Sequence, residues 1–230
     1  MHEAIRRTIT RLCHFTPSRN LAHIASGTTG ILATAKLKRG ERSVFTPTDL
    51  MRLDGHEDYI SCSIEYPNVW YFDKARSRDV LFRDWVLLFI TPQYLWLPGT
   101  RFCPRNAASD YGSSVSEGER GFLGLFANTV TGAYGKTFLR GPSHLSCCPT
   151  DEQAEVLIPD QIEMTDIVSI AVASETQAKN EASRLRFISP GENKFKFVIA
   201  PDLFDKYALS KLIRSGKRPS ETLWMPRGEV

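Results

Sequence analysis

Along this chain the spacing of apolar and polar positions changes several times, and each change marks an element. Leu12 to Phe15 reads as a short strand. Thr16-Pro17 then opens a helix, with Pro at the first helical position, and Gly27 stops it. Residues 27–45, rich in Gly, Thr and Lys, read as a mobile loop. Thr46-Pro47-Thr48-Asp49 starts a second, short helix with Asp49 as the acidic member of a capping box; it carries Arg52 and ends near Gly55. Over residues 58–66 the alternation is strict. Ile60, Cys62 and Ile64 face one way, and Tyr59, Ser61, Ser63 and Glu65 the other, which predicts a half-buried strand. A short helix follows over 68–77. Trp85 to Ile90 is continuously apolar and of strand length, the pattern of a central strand, and Pro92 ends it.

Residues 98–150 break the rhythm. They hold many Gly, Ser, Asn and Pro, with one modest apolar patch at Phe122–Phe126, and read as a loop-rich insertion of the kind that is either functional or disordered. Strands resume at Ala154–Ile158 and Ile167–Ala173. Ser174 with Gln177 makes a capping box that starts a helix to about Leu185, and Lys194–Ile199 is a further strand. Pro201 opens the last helix, with Leu203, Phe204, Tyr207 and Leu212 on one stripe. This order predicts an α+β protein: a single domain over 1–230, built on a curved mixed or antiparallel sheet.

Composition narrows the class. The chain has 230 residues, 42% hydrophobic and 24% charged, which excludes a largely disordered or fibrous protein. No apolar run approaches the roughly 20 residues needed to cross a bilayer, and MHEAIRRTITRLCHF has no signal-peptide core. A cytoplasmic protein away from membranes is expected, with its five cysteines reduced. The net charge is +3, so the information lies in clusters: Lys36 to Arg42, Lys74 to Arg83 beside Trp70, Tyr71 and Phe72, and Arg214 to Arg218. Cations beside aromatic rings suit single-stranded nucleic acid; a solvated face is the plainer account of the same pattern.

Several chemistries lack their signatures. There is no phosphate-binding loop, no dinucleotide glycine fingerprint, no C-x-x-C, no zinc spacing and no nucleophile elbow. Cys147-Cys148 with His144 has no evident orienting partner for a thiol nucleophile. Two stretches stand out instead. Glu155 begins an apolar strand just after the loop-rich insertion, at the rim of a sheet. His14 and Thr16 alternate with Phe15 and so point to one side of the first strand.

These stretches join Arg52-Leu53-Asp54-Gly55, Ser63, Tyr66-Pro67-Asn68 and Phe102-Cys103-Pro104-Arg105-Asn106-Ala107-Ala108-Ser109, in that order. The set resembles the DarT family of ADP-ribosyltransferase toxins, which attach ADP-ribose from NAD to bases in single-stranded DNA, and it spans about residues 12 to 172. The Phe-Cys-Pro-x-Asn-Ala-Ala-Ser segment looks closer to the guanine-directed branch than to the thymine-directed one. The chain departs from the family at Glu65, where Ser is common, and at Tyr66, where Phe is.

The resemblance implies an ADP-ribosyltransferase-like split sheet, mostly antiparallel with mixed strands and flanking helices, with the insertion at about 98–150 recognising the substrate. It implies NAD as co-substrate and no metal. Glu155 and Arg52 would be catalytic; His14, Thr16, Asn20, Arg52, Ser63 and Tyr66 would bind NAD, the tyrosine ring stacking on nicotinamide; Lys74, Arg76, Arg105 and Asn106 would meet nucleic acid. Glu65 would place an extra acid near the nucleotide pocket, and loop 27–45 would close over NAD. The expected partner is a separate antitoxin, often a macrodomain protein, in toxin–antitoxin control or phage defence. An RNA acceptor, a protein acceptor and a catalytically inert binding module remain open on the residues alone.

Overall fold

The computed structural model describes residues 1–26, 29–39, 53–79, 81–132, 135–188 and 195–226. In chain order the elements are helix α1 (His2–Arg6), strand β1 (Leu12–Pro17), α2 (Leu21–Ser26), β2 (Ile31–Leu32), α3 (Thr34–Arg39), β3 (Tyr59–Ile64), α4 (Val69–Arg78), β4 (Trp85–Ile90), β5 (Arg101–Cys103), β6 (Ser116–Glu117), α5 (Gly118–Gly124), β7 (Thr129–Thr131), β8 (Thr137–Leu139), β9 (Glu155–Pro159), β10 (Gln161–Ile162), β11 (Ile167–Val172), α6 (Glu175–Ile188), β12 (Phe197–Ile199), α7 (Lys206–Arg214) and β13 (Thr222–Leu223).

The apolar run in β4 lies between β1 and β11, and all six of its residues are buried. Nine strands form one sheet in the order β13-β12-β11-β4-β1-β3-β9-β5-β6. Pairing is antiparallel except between β11 and β12, so the sheet is mixed and the fold is α+β. One joint in this sheet is weak. β1 and β3 pair only at Leu12–Ile64 and Cys13–Ser63. Beyond that point β1 follows β4 as far as Pro17–Trp85, while β3 follows β9 as far as Tyr59–Pro159. The sheet therefore splits into two halves and opens a cleft between them.

The first helix begins later than Thr16-Pro17 suggests. Both residues extend β1 and pair with Val86 and Trp85, and a 3-10 turn at Ser18–Asn20 leads into α2. The ladder to β4 supplies the reason: Pro17 lies at the end of the strand, where its missing N–H costs no interior bond. Gly27, the predicted helix stop, lies outside the described residues, as do Thr46-Pro47-Thr48-Asp49 and Arg52. Within 27–45 the described part is ordered structure rather than loop: β2 pairs with β10, and α3 follows. Gly30 makes this possible. Its φ is +64°, and a Cβ there would meet the Ile162 carbonyl oxygen at 2.2 Å.

The region predicted as loop-rich holds β5 to β8 and α5, with Phe102, Phe122 and Phe126 in ring contact. Pro201 opens a 3-10 turn to Phe204, and α7 starts afresh after Asp205, whose side chain accepts from the Tyr207 and Ala208 N–H groups. That restart shifts the phase. Leu209, Ser210 and Ile213 face inward and Tyr207 is exposed, contrary to the predicted stripe. Among the described residues, no helix is long and apolar enough to cross a membrane, and no cluster of three or more His, Cys, Asp or Glu could hold a metal ion.

Candidate active site

The cleft at the split is walled on one side by His14 and Thr16 of β1 and on the other by Ser61 and Ser63 of β3, with Glu155 and Asn106 beside them. Residues 30–34 and Leu37, from β2 and α3, line the same cleft.

Glu155 stands at the first position of β9, opposite Cys103 of β5. It is buried, at 8% exposure, although it begins its strand. Ser61 Oγ donates to its Oε2 at 2.8 Å, and the Ala107 N–H donates to its Oε1 at 3.3 Å. Together the two donors fix the orientation of the carboxylate in the cleft. Burial pushes the neighbouring Cys103 thiol up to about 12, so it stays protonated opposite the acid.

Across the cleft, His14 Nδ1 lies 2.9 Å from the Ser61 carbonyl oxygen. A carbonyl only accepts, so Nδ1 carries the proton, and the bond ties the two halves of the sheet at the mouth of the split. Thr16 is 2% exposed, and its hydroxyl accepts from Asn20 Nδ2 at 2.8 Å. Asn20, also 2% exposed, is a support for Thr16 and does not itself line the cleft. Ser63 Oγ accepts from the Asn68 N–H at 2.9 Å, and the Asn68 side chain caps α4 by accepting from the Tyr71 N–H at 3.1 Å. This cap places the Tyr71 ring in the cleft wall, 6.0 Å from Phe15.

Tyr66 is placed elsewhere. It is 4% exposed, lines a separate small pocket with Cys148 and Ile213, and carries the Arg11 guanidinium 5.4 Å from its ring centroid. Glu65 has φ +66°, which turns its side chain out of the β3 alternation. Its carboxylate, 1% exposed, accepts from the Thr10 N–H at 2.8 Å, the Thr10 hydroxyl at 2.9 Å and Arg218 Nη1 at 2.9 Å. It anchors the junction of the halves rather than adding charge to the cleft.

The basic candidates separate in the same way. Lys74 is exposed. Arg76 donates to the Phe204 carbonyl at 3.0 Å and holds α4 to the 3-10 turn. Arg105 is bound to Asp110, to Ser114 at 2.6 Å and to the Thr131 carbonyl at 3.1 Å, so it fastens β7 to the turn at 107–110. Asn106 lines the cleft. In the third cluster, Arg214 pairs with Glu152 at 2.9 Å and Arg218 with Glu65. His144 Nε2 meets the Pro149 carbonyl at 2.9 Å, and the Cys147 and Cys148 sulfurs, 3.9 Å apart, are both buried. Arg52 lies outside the described residues.

Sequence reasoning missed three contributors: Ser61, Tyr71 and the Ala107 N–H. The first had a signal, since alternation puts Ser61 on the face of Ser63. Tyr71 sits three residues after the capping Asn68, on a face periodicity could have named. Nothing in the sequence marked the backbone donor.

A family profile described as "DarT: ssDNA thymidine ADP-ribosyltransferase, DarT" matches residues 13–205. No curated protein sequence matches the chain. Solved structures with a similar fold include Thermus sp. 2.9 DarT in complex with NAD+, at TM-score 0.55 and 17% identity over 85% of this chain and 98% of that one. The same Thermus protein in complex with ADP-ribosylated ssDNA aligns at TM-score 0.56 and 16% identity over 86% and 97%. Thermosipho africanus DarTG in complex with ADP-ribose aligns at TM-score 0.57 and 13% identity; 85% of this chain is covered, and it spans about half of that one, 51%. The match runs from the first cleft strand to the start of α7, and on it the chain belongs to the DarT family of ADP-ribosyltransferases.

Proposed function

We propose that this protein transfers ADP-ribose from NAD to a base of single-stranded DNA. One observation carries the reading: a buried carboxylate, Glu155, held by Ser61 and the Ala107 N–H in a cleft opened by the split sheet. Cleavage of the bond between nicotinamide and ribose passes through an oxocarbenium-like state, which a nearby carboxylate stabilises. The leaving nicotinamide takes the bonding electron pair and departs neutral. An exocyclic amine of the base attacks the opposite face, and Glu155 takes its proton as the new bond forms. Thr16 and His14 would face the nicotinamide riboside, and Tyr71, in place of Tyr66, would supply the stacking ring. Arg52 would meet the diphosphate, a role that rests on the family resemblance.

Guanine is the acceptor we favour, on the segment Phe102 to Ser109, with Asn106 offering both a donor and an acceptor to a base edge. The biological setting we propose is that of a toxin countered by a separate antitoxin of macrodomain type. The test is mass spectrometry of single-stranded oligonucleotides carrying each base, in DNA and RNA forms, after incubation with NAD. One ADP-ribose on guanine in DNA is expected, lost in Glu155→Gln while the thermal melt is retained. Modification of thymine, or of RNA in preference to DNA, would replace the acceptor assignment. Activity of Glu155→Gln within about tenfold of wild type, on the scale typical of removing a general base, would remove the catalytic one.

A further inference from the structure

Tyr111 is 80% exposed and has φ +55° and ψ +35°. Left-handed backbone disfavours a bulky side chain, and here no burial of the ring offsets that cost. The conformation is fixed from both sides. The 3-10 turn Ala107–Asp110 ends at Tyr111, and the Gly112 N–H closes it onto the Ala107 carbonyl at 2.9 Å. Gly112, at φ +81°, packs so tightly that a Cβ would stand 2.6 Å from the Asp54 carbonyl oxygen and 3.4 Å from His56 Nε2. The ring is therefore presented to solvent at a point where the segment after β5 is wedged against residues 54–56.

That point is at the edge of the cleft. Asn106, Ala108 and Asp54, the neighbours of this wedge, all line it. Beyond it lies a second, polar pocket that shares Tyr59 with the cleft and holds His56 and Arg101, closed by Asp58 and Asp160. There the Arg101 guanidinium lies 4.8 Å from the Tyr59 ring centroid, and its Nη1 is 3.4 Å from His56 Nδ1. A ring in water and a cation stacked on a ring thus follow one another along the rim.

We propose that Tyr111 is a stacking platform for a base adjacent to the acceptor base, which makes it a specificity residue for a single-stranded nucleic acid. Strained, exposed aromatic residues beside a reaction cleft suit this role, because every base has a face to stack and the backbone that carries the ring is already set in place. The inference rests on the nucleic-acid acceptor reading above.

The experiment measures transfer by the wild-type protein and by Tyr111→Ala and Tyr111→Trp, using NAD and single-stranded oligonucleotides that carry one abasic site at each position flanking the acceptor. On the intact oligonucleotide, Tyr111→Ala is expected to lose about tenfold in kcat/KM, roughly 1.4 kcal/mol, and Tyr111→Trp is expected to restore it. An abasic site at one flanking position should lower wild-type transfer by a similar factor and leave Tyr111→Ala indifferent. NAD affinity by calorimetry should be the same in both proteins. Equal sensitivity of wild type and Tyr111→Ala at every position, or an Ala variant within twofold on the intact strand, overturns the platform alone. Absence of any adduct from the wild-type protein overturns the nucleic-acid reading itself.

Discussion

Asp151 offers a stability test that is independent of catalysis. It is 1% exposed and lies four residues before Glu155. Its Oδ1 accepts from the Gln153 N–H at 2.9 Å, and its Oδ2 is buried without a partner. A Cβ at Gly132 would stand 2.9 Å from that Oδ2, so the chain after β7 covers it. Burial pushes the carboxyl up to about 6; Glu152 adds to the rise, while the Gln153 N–H, Arg214 and Arg105 oppose it. In the unfolded chain an aspartate titrates near ~3.9, so between about pH 4 and pH 6 the native state binds more protons than the unfolded one. Stability through this group is therefore full below the lower value and is lost as pH rises through the upper one. About two units at 1.36 kcal/mol each sets a ceiling of roughly 3 kcal/mol by about pH 8. Asp151→Asn keeps an acceptor for the Gln153 N–H and has no charge to bury, but it leaves an unpaired amide that costs about 1 kcal/mol. Urea unfolding from about pH 4 to pH 8 should thus show the variant gaining on wild type by ~2–3 kcal/mol across the range. A constant offset between the two proteins, with no slope, refutes the argument.

Two further outcomes follow from single contacts. Arg218→Ala leaves Glu65 buried with only its Thr10 donors, and should cost about 2–3 kcal/mol in urea unfolding, less than the usual loss for a broken buried pair because those donors remain; a loss under about 0.5 kcal/mol would show the pair to be no more than a surface contact. Asn20→Ala frees the Thr16 hydroxyl in a site 2% exposed, and should cost about 1 kcal/mol of stability while raising KM for NAD, read by initial rates of transfer; an unchanged KM would show that Thr16 needs no such support.

The strands that carry the cleft were legible because their patterns are local. The six apolar residues of β4, the alternation through β3 and the apolar run after Glu155 each fit one period. The split itself was not legible in that way, since it depends on where β1 and β3 stop pairing, and only the family resemblance implied it. Tyr66 and Glu65 show a second limit. Alternation puts Glu65 with Ser63, but its positive φ breaks the period at that residue, and both side chains leave for the far side of the junction. Charge clusters misled for a related reason: composition shows cations together but not the acids across from them, and Arg105, Arg214 and Arg218 each meet a partner inside the fold. Small strands such as β2 and β13 have two residues each, too few for any period to register.

The bond between Glu65 and Arg218 joins residues 153 positions apart. Glu221 makes a second such link to Arg11, and β13 adds itself to the sheet edge at β12. A chain is synthesised from its N-terminus, so the junction of the two halves waits, with its carboxylate in water, until the segment around residue 218 has left the ribosome. Strands β1 to β11 can pair before then, but the joint from which the cleft opens closes around Glu65 only once residue 218 is free to reach it.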